Sequence, residues 1–523
     1  MDFELVNARI CLKRFLYLGS EHPTMSMRKD IVEQSYQPDQ IISIYNFVVE
    51  NRFDEALEII KAVYENGRTP SKNPIYFCLA MLACSKTSDY NKQRLYSFLS
   101  DILKFPDDLF CFIYFYSIQN KYFSSGIRNM ITRYYLAKDL PTLVDEVARF
   151  KGFHSCTHKN LIRLAHVKTD CVLREVVFRY VMHGLQNVIS IPNEYPESGY
   201  IIEHFTKFSA LQHTNDEDLM VRLITELKCD QVQQIPPQFR NSKAVWIALI
   251  PMLDVSDLIV SLPKLLKLGF LKEGEPCLAK ITEIFSNEAV IKDSNIHPVE
   301  VFIGLMDYLK YGKKKNVDVK LKEEHLLSIS TPEVATALGE VMKVAMNQIK
   351  PINKRFLIGI NLISDMLQPC FTNRNTSCLE IASFYLFILL KTEPYVTVII
   401  FSERKVKPLA VDKESTYNDI FKMMKSMVNK KSLFLQKEIF NWATKNNQQF
   451  DVFMHFTLQG FVEKEDFAEC VAEYRTKISP NAKLITFLLK KDNPAVAEAV
   501  PNAIDICGFK CQTDEHKEVK EVV

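Results

Sequence analysis

The stretch Thr157–Lys168 gathers residue types that bind phosphate: Lys159, Arg163 and Lys168 as cations, His158 and His166 as imidazoles, with no Asp or Glu from Arg149 to Thr169. Thr157 suits an N-cap, and Leu161, Leu164 and Ala165 at i, i+3, i+4 predict one apolar helical face, with Lys159, Arg163 and His166 opposite. His158 falls in the first turn, where free backbone N–H groups and the positive end of the helix dipole attract an anion. With Arg149 and Lys151 just upstream, these side chains predict a surface for a phosphate backbone. Taken alone, the same spacing also suits a solvated basic face on a structural helix.

Two further basic sets stand near it or downstream. Lys121, Arg128, Arg133 and Lys138 are interleaved with Tyr122, Phe123, Tyr134 and Tyr135; aromatics among bases can stack on unpaired nucleotides, and at these spacings they also suit a core. Lys310, Lys313–Lys315, Lys320 and Lys322 form a cluster that suits a solvated loop or a second phosphate-facing patch. Nucleophilic chemistry finds less support. Cys156 lies between His154 and His158, yet a thiol–imidazole pair needs spatial geometry that sequence adjacency does not supply. No GxxxxGK[ST] and no strand-associated GxGxxG is present, and there are only 14 glycines in 523 residues, so phosphate-cradling loops are not expected. The expectation is a binding protein and no enzyme.

The elements that must carry these residues fall into two regions. From about residue 10 to 350 the apolar spacing is helical almost throughout, as in 40–50 and 53–64, with Pro70, Pro74 and Pro106 as breakers. Paired helices of this length suggest a HEAT-like solenoid, although no fixed-period repeat is visible. The segments 190–200 and 229–242, with Pro192, Pro196, Pro236 and Pro237, suggest loops. From 351 to 510 short apolar runs (356–360, 395–401, 450–456 and 483–489) alternate with helical stretches (377–391, 417–427, 433–445 and 464–478), which predicts a doubly wound parallel sheet. Residues 511–523 form a charged tail. A net charge of +2 hides any local basic surface, and 13 scattered cysteines without a CxxC pair favour reduced thiols over disulfides or zinc. The opening residues lack the layout of a secretory signal, and the most apolar run, 384–390, is too short to cross a bilayer. These features predict a soluble protein, cytoplasmic or also nuclear, with no membrane partner and a monomeric state.

Thr157–Lys168 resembles the signature of the Ro (SS-A) ribonucleoprotein family, whose TROVE module holds small non-coding RNAs. Lys13–Glu21, Glu65–Thr69, Lys243–Trp246, Ile296–Pro298 and Asp505–Phe509 are similar to further family motifs in the same order. The resemblance implies a helical-repeat ring over 10–350 followed by a von Willebrand A-like domain over 351–510. It also implies Y-type small non-coding RNA and the single-stranded ends of misfolded RNA as ligands, hence a part in RNA quality control, with other RNA-binding proteins as further partners. An alternative is a protein-interaction scaffold that keeps the fold and has lost RNA.

The same resemblance exposes a departure. The family's Asp-x-Ser-x-Ser metal motif corresponds here to Asn361-Leu362-Ile363-Ser364-Asp365, its Thr to Phe434 and its second Asp to Leu458. A hard cation demands several oxygen ligands, so a degenerate site without a divalent metal or other cofactor is expected.

Overall fold

In the computed structural model, residues 8–26, 36–67, 69, 71–150, 152–154, 156–314, 332–402, 405–428, 437–458, 464–490, 497 and 500–509 are described. They form two compact units: Met1–Glu21 with Ile31–Met252, and His22–Asp30 with Leu253–Val523. The compact division thus falls within the helical series and not at its end.

The first unit is helical: α1 (Ala8–Leu18), α2 (Ile42–Val49), α3 (Phe53–Asn66), α4 (Asn73–Cys84), α5 (Asp89–Ile102), α6 (Pro106–Gln119), α7 (Ser125–Ala137), α8 (Leu140–Arg149), α9 (His158–Ala165), α10 (Val172–His183), α11 (Gly199–His213), α12 (Glu217–Glu226) and α13 (Lys243–Leu249). Local chemistry sets the boundaries. Ser88, Ser124, Asp139, Thr157, Asp216 and Ser242 each accept a backbone N–H of the first turn. Pro106 opens α6, where its missing N–H costs nothing, and Gly67 closes α3 in the left-handed conformation. The segments expected to be loops contain short 3-10 turns, such as Ile191–Asn193 and Pro237–Phe239. An aromatic cluster, Phe15, Tyr36, Phe77 and Phe115, with centroids 5.2 to 6.1 Å apart, joins α1, α4 and α6. No helix among the described residues is long and apolar enough to cross a membrane.

The second unit begins with α14 (Val255–Leu268), α15 (Pro276–Ser286), α16 (Glu288–Ser294), α17 (Pro298–Lys314) and α18 (Pro332–Asn347). A sheet follows: β2 (Arg355–Asn361), β3 (Tyr395–Ser402), β4 (Lys405–Pro408), β5 (Val452–Thr457), β6 (Lys483–Leu488) and β7 (Ala503–Cys507), interspersed with α19 (Cys378–Thr392), α20 (Tyr417–Ser426), α21 (Glu438–Lys445) and α22 (Lys464–Lys477). With β1 (Thr24–Ser26) the strand order is β1-β7-β6-β5-β2-β3-β4, parallel except for β4. The strands are near-continuous apolar runs because both faces are covered: α19, α20 and Phe302 of α17 on one side, α21 and α22 on the other. Phe302 stacks on Phe384 at 3.9 Å. The predicted parallel sheet is present. Its three additional strands have little sequence signal: β1 and β4 are too short to show a pattern, and β7 follows residues 491–499 with no clear alternation.

Close packing in this unit predicts a test. A Cβ placed on Gly304 of α17 would sit 2.0 Å from Ile259 Cγ2 of α14. Gly304→Ala should therefore lose up to about 2 kcal/mol, because overpacking of about 1–3 kcal/mol is offset only by the roughly 1 kcal/mol that alanine gains in a helix. A lowered urea midpoint for the sheet-containing unit is the expected reading, and a raised one would show that the contact relaxes freely.

Candidate nucleic-acid interface

Helix α9 begins at the predicted cap and ends before His166, which the sequence places on its polar face. Thr157 accepts from the Asn160 N–H at 3.2 Å, and His166 closes the helix in the left-handed region with φ 53°, its N–H donating to the Arg163 carbonyl. The faces differ from expectation. The buried stripe is His158, Leu161, Ile162 and Ala165, whereas Leu164 is 45% exposed. The spacing i, i+3, i+4, i+7 therefore starts at His158, one position around the helix from the predicted stripe.

His158 consequently does not face an anion. Its Nδ1 lies 2.8 Å from the Tyr135 hydroxyl of α7, and its ring meets the Phe110 ring of α6 edge-on at 4.9 Å. Burial pushes its pKa down to about 3, with the Glu146 carbonyl opposing and Lys138 adding to the shift. The imidazole is a neutral core group that links α7 and α9.

Arg149 is also committed internally. It pairs with Asp145 at 2.6 Å and Asp230 at 3.5 Å, and donates to the carbonyls of Leu227 and, at 3.2 Å, Lys228, where α12 ends. It satisfies helix-end carbonyls and carboxylates of its own chain. Lys138 bonds Glu146 and the Lys104 carbonyl, both at 2.6 Å, and lies 4.4 Å from the Tyr134 ring centroid. Of the interleaved aromatics, Tyr134 and Tyr135 belong to the core, Phe123 packs on Tyr116, and Tyr122 is 79% exposed.

What remains on the surface is Lys159, Arg163, His166 and Lys168, all exposed, and on α7 and the turn before it Lys121, Arg128 and Arg133, also exposed. Among the described residues, no ion pair involves Lys159, Arg163, His166 or Lys168. Lys151 lies outside the described residues. In the second unit Lys310 pairs with Glu380 at 3.3 Å, and the side chains of Lys313, Lys314, Lys315, Lys320 and Lys322 lie outside the description. Cys156 is buried, which pushes its thiol up to about 11, so no thiolate is available there.

Residues 355–516 match the Ro60 vWA domain model. RNA-binding protein RO60 of Deinococcus radiodurans is 22% identical over 511 residues, spanning 95% of this chain and 90% of the relative; its Caenorhabditis elegans counterpart is 21% identical over 570 residues, spanning 95% and 85%. The chain is similar to Ro proteins over nearly its whole length. The crystal structure of the Deinococcus radiodurans RO (RSR) protein superposes with a TM-score of 0.80 at 18% identity, covering 98% of each chain, so the fold is shared from end to end.

The positions that the sequence assigns to a degenerate metal site lie at or near the carboxyl ends of the strands where the structure describes them. Asn361, buried at the end of β2, offers a carboxamide with no partner for its Oδ1. Ile363 packs against the sheet core, Leu458 is buried, and Asp365 is exposed in a 3-10 turn. Phe434 lies outside the described residues. No group of three or more His, Cys, Asp or Glu among the described residues is arranged to hold a metal. Apolar side chains stand where a hard cation needs oxygens.

Proposed function

We propose that this protein binds RNA through the outward face of α9, with Lys159, Arg163 and Lys168 neutralising phosphates and His166 at the rim. The observation that carries this reading is the division of labour among the basic residues. Arg149, Lys138 and Arg174 are used up by internal carboxylates and carbonyls, whereas the α9 cations face solvent with no ion pair among the described residues. The names of the relatives support RNA as the ligand. The ordered family motifs further favour Y-type small non-coding RNA and misfolded RNA ends, with a role in RNA quality control in the cytoplasm. The fit of the vWA-type domain favours a structural part for it that uses no divalent cation, and binding, not catalysis, as the activity.

The double variant Lys159→Ala/Arg163→Ala tests the interface, since neither side chain packs in the core. Affinity for a structured small RNA should fall about tenfold or more at moderate salt, and the log–log salt slope should become shallower by roughly 1.4, from about 0.7 per lost phosphate contact on single strands. Filter binding over a salt series reads both. Unchanged affinity and slope, with protein that purifies free of nucleic acid, would favour an interaction scaffold.

A further inference from the structure

The turn that leads into α9 carries an aromatic surface that the phosphate-binding reading leaves unused. Phe153 and Cys156 exchange two backbone hydrogen bonds, both 2.9 Å, which closes a tight loop around His154. Within it His154 adopts φ 48°, a conformation that β-carbon-bearing residues other than Asn, Asp and His seldom take. Gly152 permits the closure: at φ 153° its backbone lies so near that a Cβ would meet the Cys156 carbonyl oxygen at 2.5 Å. The loop therefore fixes the direction of one side chain.

That side chain is a flat ring laid on another. The His154 imidazole stacks on the Tyr114 ring of α6 with centroids 4.3 Å apart and planes 17° from parallel, and Phe153 meets its edge at 4.4 Å and 83°. Tyr114 and Phe153 are half-buried and His154 is exposed. One face of the imidazole is thus covered by tyrosine, its position is set by phenylalanine, and the other side is open to solvent. Partial burial lowers its pKa, so the ring is neutral near pH 7. A core histidine would be enclosed, as His158 is, and a freely solvated one would have no reason to sit in a strained turn against two aromatics.

We infer that His154, floored by Tyr114, is a stacking position for an unpaired nucleobase of RNA whose backbone is held by Lys159 and Arg163. This rests on the proposed use of α9. Lys159 is five residues on, so its Cα lies within about 17 Å of that of His154 even for extended chain, and the closed turn shortens this. Bases stack on aromatic rings with little regard for sequence, so the position selects single-stranded over duplex RNA, not one base over another.

The test substitutes His154→Asn, which keeps a residue type suited to the left-handed turn and removes the ring. A single-stranded RNA carrying 2-aminopurine and a duplex RNA of equal length are titrated against the full chain, alongside Lys159→Ala/Arg163→Ala. The expected result is an about tenfold loss of single-strand affinity in H154N with duplex affinity unchanged, and loss of the 2-aminopurine quench. An H154N protein that binds and quenches like wild type, while the α9 double variant is weakened, would overturn the stacking position alone. If the double variant also binds like wild type, the α9 interface falls with it. Equal weakening of single-strand and duplex binding in H154N would show that the residue merely shapes the loop.

Discussion

Lowering the pH from 7 to 5 is expected to cost the protein about 2 kcal/mol of stability in each of its two units. Among the described histidines whose pKa burial lowers, two are fully enclosed, His158 in the helical unit and His455 on β5 in the sheet, both with pKa values pushed down to about 3. In the unfolded chain each would titrate near 6.5. Between the two values the unfolded state binds the proton and the folded state does not, so the contribution is intact above pH 6.5 and is lost as the pH falls towards 3. The slope is about 1.4 kcal/mol per pH unit per histidine. Glu146, whose carboxyl is raised by burial despite Lys138, works in the opposite sense above pH 4.5, because its folded form holds the proton longer than the unfolded one.

The chain contains its own reporters for the two effects. Its two tryptophans fall one in each unit, Trp246 buried in the helical one and Trp442 packed beside the sheet. Urea unfolding followed by fluorescence in Trp442→Phe and Trp246→Phe backgrounds therefore reads the helical and the sheet unit separately. In Tyr135→Phe/His158→Leu both polar partners are removed, so no buried group is left unsatisfied. That variant should flatten the acid slope at Trp246 and leave Trp442 unaffected. A Trp246 transition that retains the full slope would locate the acid lability elsewhere.

Lys138→Met should cost the helical unit about 3 kcal/mol or more at pH 7. The Lys138 and Glu146 side chains are only 13% and 9% exposed, and their 2.6 Å contact is reinforced by the Tyr134 hydroxyl at 3.3 Å from Glu146. Removing the lysine leaves a carboxylate enclosed among aromatics and deprives the Lys104 carbonyl of its donor. The double variant Lys138→Met/Glu146→Leu should recover most of the loss, since two apolar groups of similar size leave no buried charge. If the single variant loses under about 1 kcal/mol at the Trp246 transition, water reaches the pair and the enclosure argument fails. Arg174 donates to the carbonyls of Tyr135 and Lys138, at 2.7 and 3.0 Å, so this network also fixes the end of α7 against which α9 packs. The cost of the lysine variant should appear in RNA affinity only through the position of Lys159 and Arg163.

Local spacing carries the broad architecture and the location of the basic helix. Residues 356–360, 395–401, 450–456 and 483–489 show as strands because a parallel sheet covered on both faces requires continuous apolar runs. Thr157 shows as a cap because its neighbours follow a helical period. The altered metal motif is equally visible, since Ile363 and Leu458 have no oxygen to offer whatever surrounds them. Tertiary structure decided which members of the basic set face solvent. His158 and Lys159 are adjacent in sequence and similar in chemistry, yet Phe110 and Tyr135, 48 and 23 residues upstream, close over the first and leave the second outside. Arg149 has the same local credentials as Arg163 and is captured by carbonyls 78 and 79 residues later. The stack of His154 on Tyr114, 40 positions away, has no trace in local spacing at all. Periodicity reports which face of a helix is apolar, but which distant element covers that face is fixed only when the helices pack.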